Sequence, residues 1–289
     1  MLIWGKRYRL SGDHVVDDRA GRVDRTAWWG SGNAYEPYVG RWSRLVAREF
    51  LGWLGVPPGG RWLDVGCGTG ALSESILSSA APDEVVGIDP SPAFVAFARD
   101  RVQDPRVEFD IGDAQALGAA SATFDAAVAG LVLNFVPESN RAASEMVRVT
   151  RPGGTIAAYV WDYAEGMQMM RHFWDAAGTL DPKARGLDEG RRFILCKPEP
   201  LADLFRRTGL GEVEVRAIDV PTVFRDFDDY WSPFLGGHAP APAYAMSLSK
   251  DQRAALRERI RSSLPTNAKG EHHLVARAWA VRGIRSLEL

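Results

Sequence analysis

Three alternate glycines, Gly66, Gly68 and Gly70, follow an apolar run in the stretch WLDVGCGTGALSES, and a carboxylate, Asp64, stands two residues ahead of the first. Glycine admits positive φ and carries no Cβ, so a ligand can lie directly against the main chain there. Beyond the turn, Ala71, Leu72, Ser75 and Ile76 recur at helical spacing. The stretch therefore reads as strand, tight turn and helix, with the free N–H groups of the helix start facing the turn. That is the opening half of a βαβ nucleotide site. A second carboxylate, Asp89, ends the next strand nineteen positions after Gly70 and can accept from both hydroxyls of a ribose. Gly66, Gly68 and Ala71 also satisfy the G-x-G-x-x-[GA] pattern of nicotinamide dinucleotide sites, so these residues alone do not choose between cofactors.

The elements that must hold such a site recur in the order of a doubly wound α/β sheet. Strands are expected at 61–66, 84–89, 106–113, 124–133 and 154–161, with helices between them, among them SPAFVAFARDRV and ESNRAASEMVRVT. Ahead of the first strand, RWSRLVAREFLGWL carries a helical apolar stripe. After PEPLADLFRRTGL, a helix ending near Gly209, two strands follow, EVEVRAIDV and, beyond a long excursion, HLVARAWAVRG.

Composition narrows the function classes. The 289 residues are 46% hydrophobic and 25% charged, enough for one large α/β domain with accessory pieces. Lys and Arg number 35 against 37 Asp and Glu, which offers no broad basic surface for phosphate backbones, so no nucleic-acid partner is expected. Two cysteines, Cys67 and Cys196, cannot build a disulfide framework, and no ligand spacing proposes a metal. A cytoplasmic monomer or homodimer without a membrane span is expected, because the start has no signal-peptide core and no apolar run approaches about eighteen residues. Residues 1–27 have many charges and no sustained period, and are expected to form a poorly ordered extension.

The motifs LDVGCGTG, GIDPS, GDAQAL, FDAAVAGLVLNFV and EMVRVTRPGGTIAAYVWD, in this order and spacing, resemble those of class I S-adenosylmethionine-dependent methyltransferases. The likeness covers residues 35–165 and is near in style to the group that includes quinone-ring methyltransferases. It implies a Rossmann-like, doubly wound, seven-stranded sheet whose last strand is antiparallel, whereas a dinucleotide fold would stay parallel. It also implies S-adenosylmethionine as cofactor, bound by Asp64, Gly66, Cys67, Gly68, Asp89, Pro90, Asp113, Ala114 and Leu131. Asp64 would balance the donor's ammonium, Asp89 would hold the ribose, and Asp113 with the Ala114 N–H would read the adenine. A segment around 33–44 would close over the donor as a lid, with Tyr35 near the methyl and Arg41 on the methionine carboxylate. An exposed surface helix is the competing reading of that segment.

The chemistry so implied is an in-line methyl transfer to a small acceptor, in which positioning and desolvation supply most of the rate. A general base is needed only for an acceptor of high pKa, and His172, Asp162, Tyr163, Tyr230 and His238 are the candidates. Asp228 and Asp229 read as a solvated or helix-capping pair. The sequence GLVLNFVPE after strand 4 lacks the acidic or Asn, double-proline signature of nucleobase-amine methylases. Residues 28–60 are expected to form an N-terminal cap or lid helix, 61–165 the cofactor-binding core, 166–200 and 223–270 substrate-cap insertions, and 201–222 with 271–289 the rest of the sheet. The variable segments add Trp161, Tyr163, Trp174, Phe193, Tyr230, Trp231 and Phe234, which suits an apolar or aromatic acceptor as well as it suits a packed lid. An NAD(P)-dependent oxidoreductase and a catalytically silent binding protein of the same fold are the alternative functions.

Overall fold

The structure, a computed structural model, describes residues 40–236 and 239–287. The extension expected at 1–27, Tyr35 and His238 lie outside the described residues. Seven strands form one sheet: β1 (Arg61–Val65), β2 (Glu84–Asp89), β3 (Val107–Ile111), β4 (Phe124–Gly130), β5 (Thr150–Trp161), β6 (Gly211–Phe224) and β7 (His272–Ile284). Their spatial order is β3-β2-β1-β4-β5-β7-β6. The first five pair in parallel, and β7 runs antiparallel to both of its neighbours, β5 and β6. The chain reverses between β1 and β4, and it is there, outside the carboxyl ends of the strands, that such a sheet leaves a crevice.

Several strand ends differ from the sequence reading for local reasons. β4 stops at Gly130 because Leu131 takes a positive φ of 61° and its N–H donates to the Tyr159 carbonyl at 2.8 Å, turning the chain out of the sheet. β5 begins four residues earlier than expected, at Thr150 opposite Phe124, and Gly153 at φ +75° lies where the β4–β5 register shifts. β6 is longer than expected, running on to Phe224 opposite His272, and it tolerates Pro221 because it is the sheet's edge.

Helices surround the sheet: α1 (Arg41–Leu54), α2 (Ala71–Ser79), α3 (Pro92–Arg101), α4 (Ser139–Val149), α5 (Gln168–Leu180), α6 (Glu189–Arg192), α7 (Pro198–Arg207), α8 (Phe227–Trp231), α9 (Pro240–Ser247) and α10 (Lys250–Ser263). α1 packs on α2 and on β6, and α4 packs on β4, β5 and α7. The apolar stripe of α1 buries Val46, Phe50 and Leu54 against the sheet, where the Phe50 ring meets Tyr159 at 4.8 Å.

The chain between β5 and β6 and the chain between β6 and β7 meet above the sheet. Phe173 of α5 stacks on Phe234 at 4.5 Å, and Trp174 meets Tyr244 of α9 at 5.7 Å. All four rings are buried, so two segments far apart in sequence share one apolar centre.

Candidate functional site

A cavity of about 630 Å³ lies at the carboxyl ends of β1, β2, β3, β4 and β5. Asp64, Gly66, Cys67, Gly68, Asp89, Pro90, Asp113, Ala114 and Leu131 all line it. They come from four separate strand ends, which sheet pairing alone brings to one rim.

The glycine turn hangs from β2: the N–H groups of Gly66 and Cys67 both donate to the Ile88 carbonyl, at 2.8 and 2.9 Å. Its glycines have different tasks. A Cβ on Gly66 (φ +74°) would stand 2.5 Å from Val132 Cγ2, so this position is closed by the protein's own packing. On Gly68 (φ +52°) a Cβ would meet nothing nearer than the Gly66 carbonyl oxygen at 4.0 Å, which leaves a cradle open on the cavity side.

Asp64 is 1% exposed. One carboxylate oxygen accepts from Ser73 Oγ at 2.7 Å, and the other has no partner. Burial pushes its carboxyl up to about 7, against the lowering effect of Ser73. A buried carboxylate with an unfilled oxygen is stabilised as an anion by a cationic N–H donor.

Asp89 braces two loops. Its Oδ2 accepts from the Gly68 N–H at 3.1 Å and its Oδ1 from the Ser91 N–H at 2.9 Å. The turn is therefore held by Asp89, while Asp64 bonds the helix behind it. Each oxygen of Asp89 keeps a second lone pair for a diol. Burial raises its carboxyl above the ordinary range, and the two backbone amides oppose that rise. The helix after it starts at Pro92 with Ser91 as N-cap, so Pro90 stands outside the helix on the cavity rim.

Asp113 accepts from the Gln115 N–H at 2.8 Å and from the Gln115 side chain at 3.0 Å, and the backbone bond leads in holding its carboxyl below the usual range. It forms a turn after β3 and caps no helix.

On the other side the wall is apolar and aromatic: Leu131, Val132, Phe135, Tyr159, Trp161 and Tyr163. Phe193 stands behind them, 5.2 Å from the Phe135 ring and 5.8 Å from the Tyr163 ring. The Trp161 side chain is buried and its Nε1 has no partner. Trp174, Tyr230, Trp231 and Phe234, also expected around the acceptor, are packed inside the cap instead.

Of the base candidates among the described residues, Tyr163 alone lines the cavity. Asp162 is buried and accepts from the Glu165 N–H at 3.0 Å, fixing the turn after β5. Tyr230 is fully buried, its hydroxyl donates to the Met169 carbonyl at 2.8 Å, and burial drives its pKa far up. His172 is half-buried on α5, and burial lowers its pKa.

Arg41 departs from its expected place. Its Nη1 pairs with Asp229 Oδ1 at 3.2 Å, and its guanidinium lies 4.3 Å from the Trp42 ring and 4.7 Å from Phe224. The aromatic pair and the carboxylate hold it beside β6, away from the cavity wall. Asp229 is thus an ion-pair partner, and the capping of α8 falls to Asp226, whose side chain accepts from the Asp229 N–H.

Sequence reasoning missed Phe94, Val132, Phe135 and Tyr159 in the wall. Phe135 had a usable signal, since the residues just past β4 belong to the rim where such sheets bind ligands. No compact group of metal-ligating side chains occurs among the described residues.

Residues 63–158 match the family model described as a methyltransferase domain. The chain is 32% identical over 184 residues to 2-methyl-6-phytyl-1,4-hydroquinone methyltransferase of Synechocystis sp., covering 62% of this chain and 56% of that protein. To demethylmenaquinone methyltransferase of Roseiflexus sp. it is 30% identical over 179 residues, 57% of this chain and 74% of the relative. The chain thus spans about half the length of the first relative and about three quarters of the second. Among solved structures, phosphoethanolamine N-methyltransferase 2 of Haemonchus contortus, in complex with S-adenosyl-L-methionine, superposes with a TM-score of 0.56 at 18% identity over 92% of this chain and 61% of that one. At that identity the likeness concerns the fold.

Proposed function

This chain belongs to the class I S-adenosylmethionine-dependent methyltransferases, in their quinone-methyltransferase-like group, and from that premise we propose that it methylates a small, apolar, ring-bearing acceptor. The observation that carries the donor assignment is Asp64, a 1% exposed carboxylate on the cavity wall with one oxygen lacking a partner. Beside it, the open cradle over Gly68 admits a ligand against the backbone.

These residues fit S-adenosylmethionine, which when bound supplies a methyl group already activated by a sulfonium. Asp64 would take the ammonium, Asp89 the ribose hydroxyls, and Asp113 with the Ala114 N–H the adenine edge. The reaction we propose is an in-line displacement, and the chain's share of it is positioning: the aromatic wall holds the acceptor ring and keeps water out. Among the described base candidates, Tyr163 lines the cavity and would take or return a proton there. The acceptor wall has neither a carboxylate nor a histidine among the described residues, which suits an acceptor that needs no strong base.

The relatives' printed names point to quinols as the acceptor class. The test is a labelled-methyl transfer screen over a metabolite library enriched in hydroquinones and phenols, with calorimetry of S-adenosylhomocysteine and NADH alongside. Label transfer to a ring compound and binding of the homocysteine product are expected. Binding of NADH in preference to that product would replace this reading with an oxidoreductase.

A further inference from the structure

Eight large apolar side chains stand exposed on the described surface, and three of them, Leu180, Leu187 and Ile194, fall in the single stretch 180–197. Scattered exposed apolar residues are ordinary, but a cluster marks a contact surface. The exposed charged side chains of the stretch are all cationic: Lys183, Arg185, Arg191 and Lys197, of which Arg191 pairs with buried Asp188 at 4.0 Å and the other three are in no ion pair among the described residues. The stretch's acids are turned inward or tied to the backbone: Asp188 is buried against Arg171 at 2.6 Å, Glu189 is buried against the Trp174 indole N–H, and Asp181 accepts from the Lys183 N–H at 2.9 Å. What the stretch exposes is thus cationic and apolar, although the whole chain has a formal charge of −2.

The same stretch backs the acceptor wall. Phe193 is 5% exposed and packs on Phe135 and Tyr163, both of which line the cavity, while the next residue, Ile194, is 71% exposed. One face of this segment closes the aromatic end of the site and the other meets the surroundings.

We propose that the 180–197 face docks the protein on an anionic lipid bilayer, with Leu180, Leu187 and Ile194 entering the interface and Lys183, Arg185 and Lys197 meeting lipid phosphates. No described helix is long and apolar enough to cross a membrane, so the contact is peripheral. Its use rests on the reading of the acceptor as an apolar ring compound, which partitions into a bilayer and would be taken up where the aromatic wall lies nearest to it.

The test is co-sedimentation of the full chain with phosphatidylcholine vesicles, with and without phosphatidylglycerol, at low and high salt. Binding to the anionic vesicles alone, weakened by salt, is expected. The triple variant Lys183→Ala, Arg185→Ala, Lys197→Ala should lose about a hundredfold in partitioning, at about fivefold per cation near an anionic surface. Leu187→Ser with Ile194→Ser should lose binding as well. A wild-type chain that stays in the supernatant overturns the proposal, as does a triple variant that sediments like wild type. Binding that needs the cations and not the two apolar residues also overturns it, because the apolar side chains would then not enter the interface. Calorimetry of S-adenosylhomocysteine on the same preparations separates the two readings: lost product binding with intact sedimentation counts against the methyltransferase reading alone, and the converse against the docking face alone.

Discussion

The two ends of the cavity are built on opposite plans. At the end proposed for the donor, Asp89 ends β2 while Gly68 and Asp113 sit just past β1 and β3, each tied to a neighbour within a short loop or an adjacent strand. Its working groups are carboxylates and main chain. The end proposed for the acceptor draws Phe135 from beyond β4 and Trp161 and Tyr163 from the end of β5, with Phe193 of the cap packed behind them, and what it offers is an apolar shape. A charged, locally braced pocket is suited to one constant ligand, whereas an apolar wall backed by an insertion can change with the acceptor.

The glycine turn allows the largest break in that comparison. Gly66→Ala drives a Cβ to 2.5 Å from Val132 at φ +74°, and we expect a stability loss of about 2–4 kcal/mol in denaturant titration. Gly68→Val adds its bulk to open space, so the fold should survive with about 1–2 kcal/mol of backbone strain. Affinity for S-adenosylhomocysteine should drop about a hundredfold, equivalent to roughly 2.7 kcal/mol. If both variants lose stability alike and Gly68→Val binds normally, the cradle is not the donor seat.

A crossed pair sharpens the separation of the two ends. Phe193→Ala removes a buried ring behind the acceptor wall and should cost about 3 kcal/mol of stability and raise the acceptor KM, with product affinity unchanged. Asp89→Ala should do the reverse, weakening the product by about ten- to a hundredfold through the lost charged hydrogen bonds, with a smaller change in acceptor KM. Equal effects of both variants on product affinity would show that the two ends are not separable.

A pH dependence distinguishes two carboxyl groups that burial pushes up to about 7, Asp64 on the cavity wall and Glu189 in the cap. In the unfolded chain both titrate in the ordinary carboxylate range, so the native state holds these protons more tightly. Their contribution to stability is complete below the unfolded pKa and is lost as pH rises through about 7. A bound ammonium favours the Asp64 carboxylate and leaves Glu189 untouched. Product affinity should therefore rise with pH between 5 and 7, by up to about tenfold per unit, with proton release seen in calorimetry across buffers. Asp64→Asn should flatten that profile and Glu189→Gln should not. A slope that survives in Asp64→Asn would remove Asp64 from the ammonium site.

The donor end was legible before any coordinates because each of its features is a local one. A glycine turn after an apolar run, an acid ending a strand and a further acid two strands on are set by a few adjacent residues, and the βαβ order carries them to one edge. The acceptor end was legible only as a supply of aromatics. Trp174 of α5 is turned onto Tyr244 of α9, whereas Tyr163, just past β5, lines the cavity, and no periodicity in either segment encodes that difference.

The sequence by itself thus determined the order of strands and helices and the glycine turn, which follow from hydrophobic period and turn chemistry acting over a few residues. The antiparallel β7 and the assignment of the rim residues came from the motifs' resemblance to the methyltransferase family. Tertiary structure alone decided that Asp89 would brace the glycine turn while Asp64 kept an unpartnered oxygen. It also decided that Arg41 would be captured by Asp229, 188 positions away, and by the Phe224 ring. A cation of this kind is held by the carboxylate and ring that packing brings near it, and contacts across so many residues have no signature in the chain around either partner.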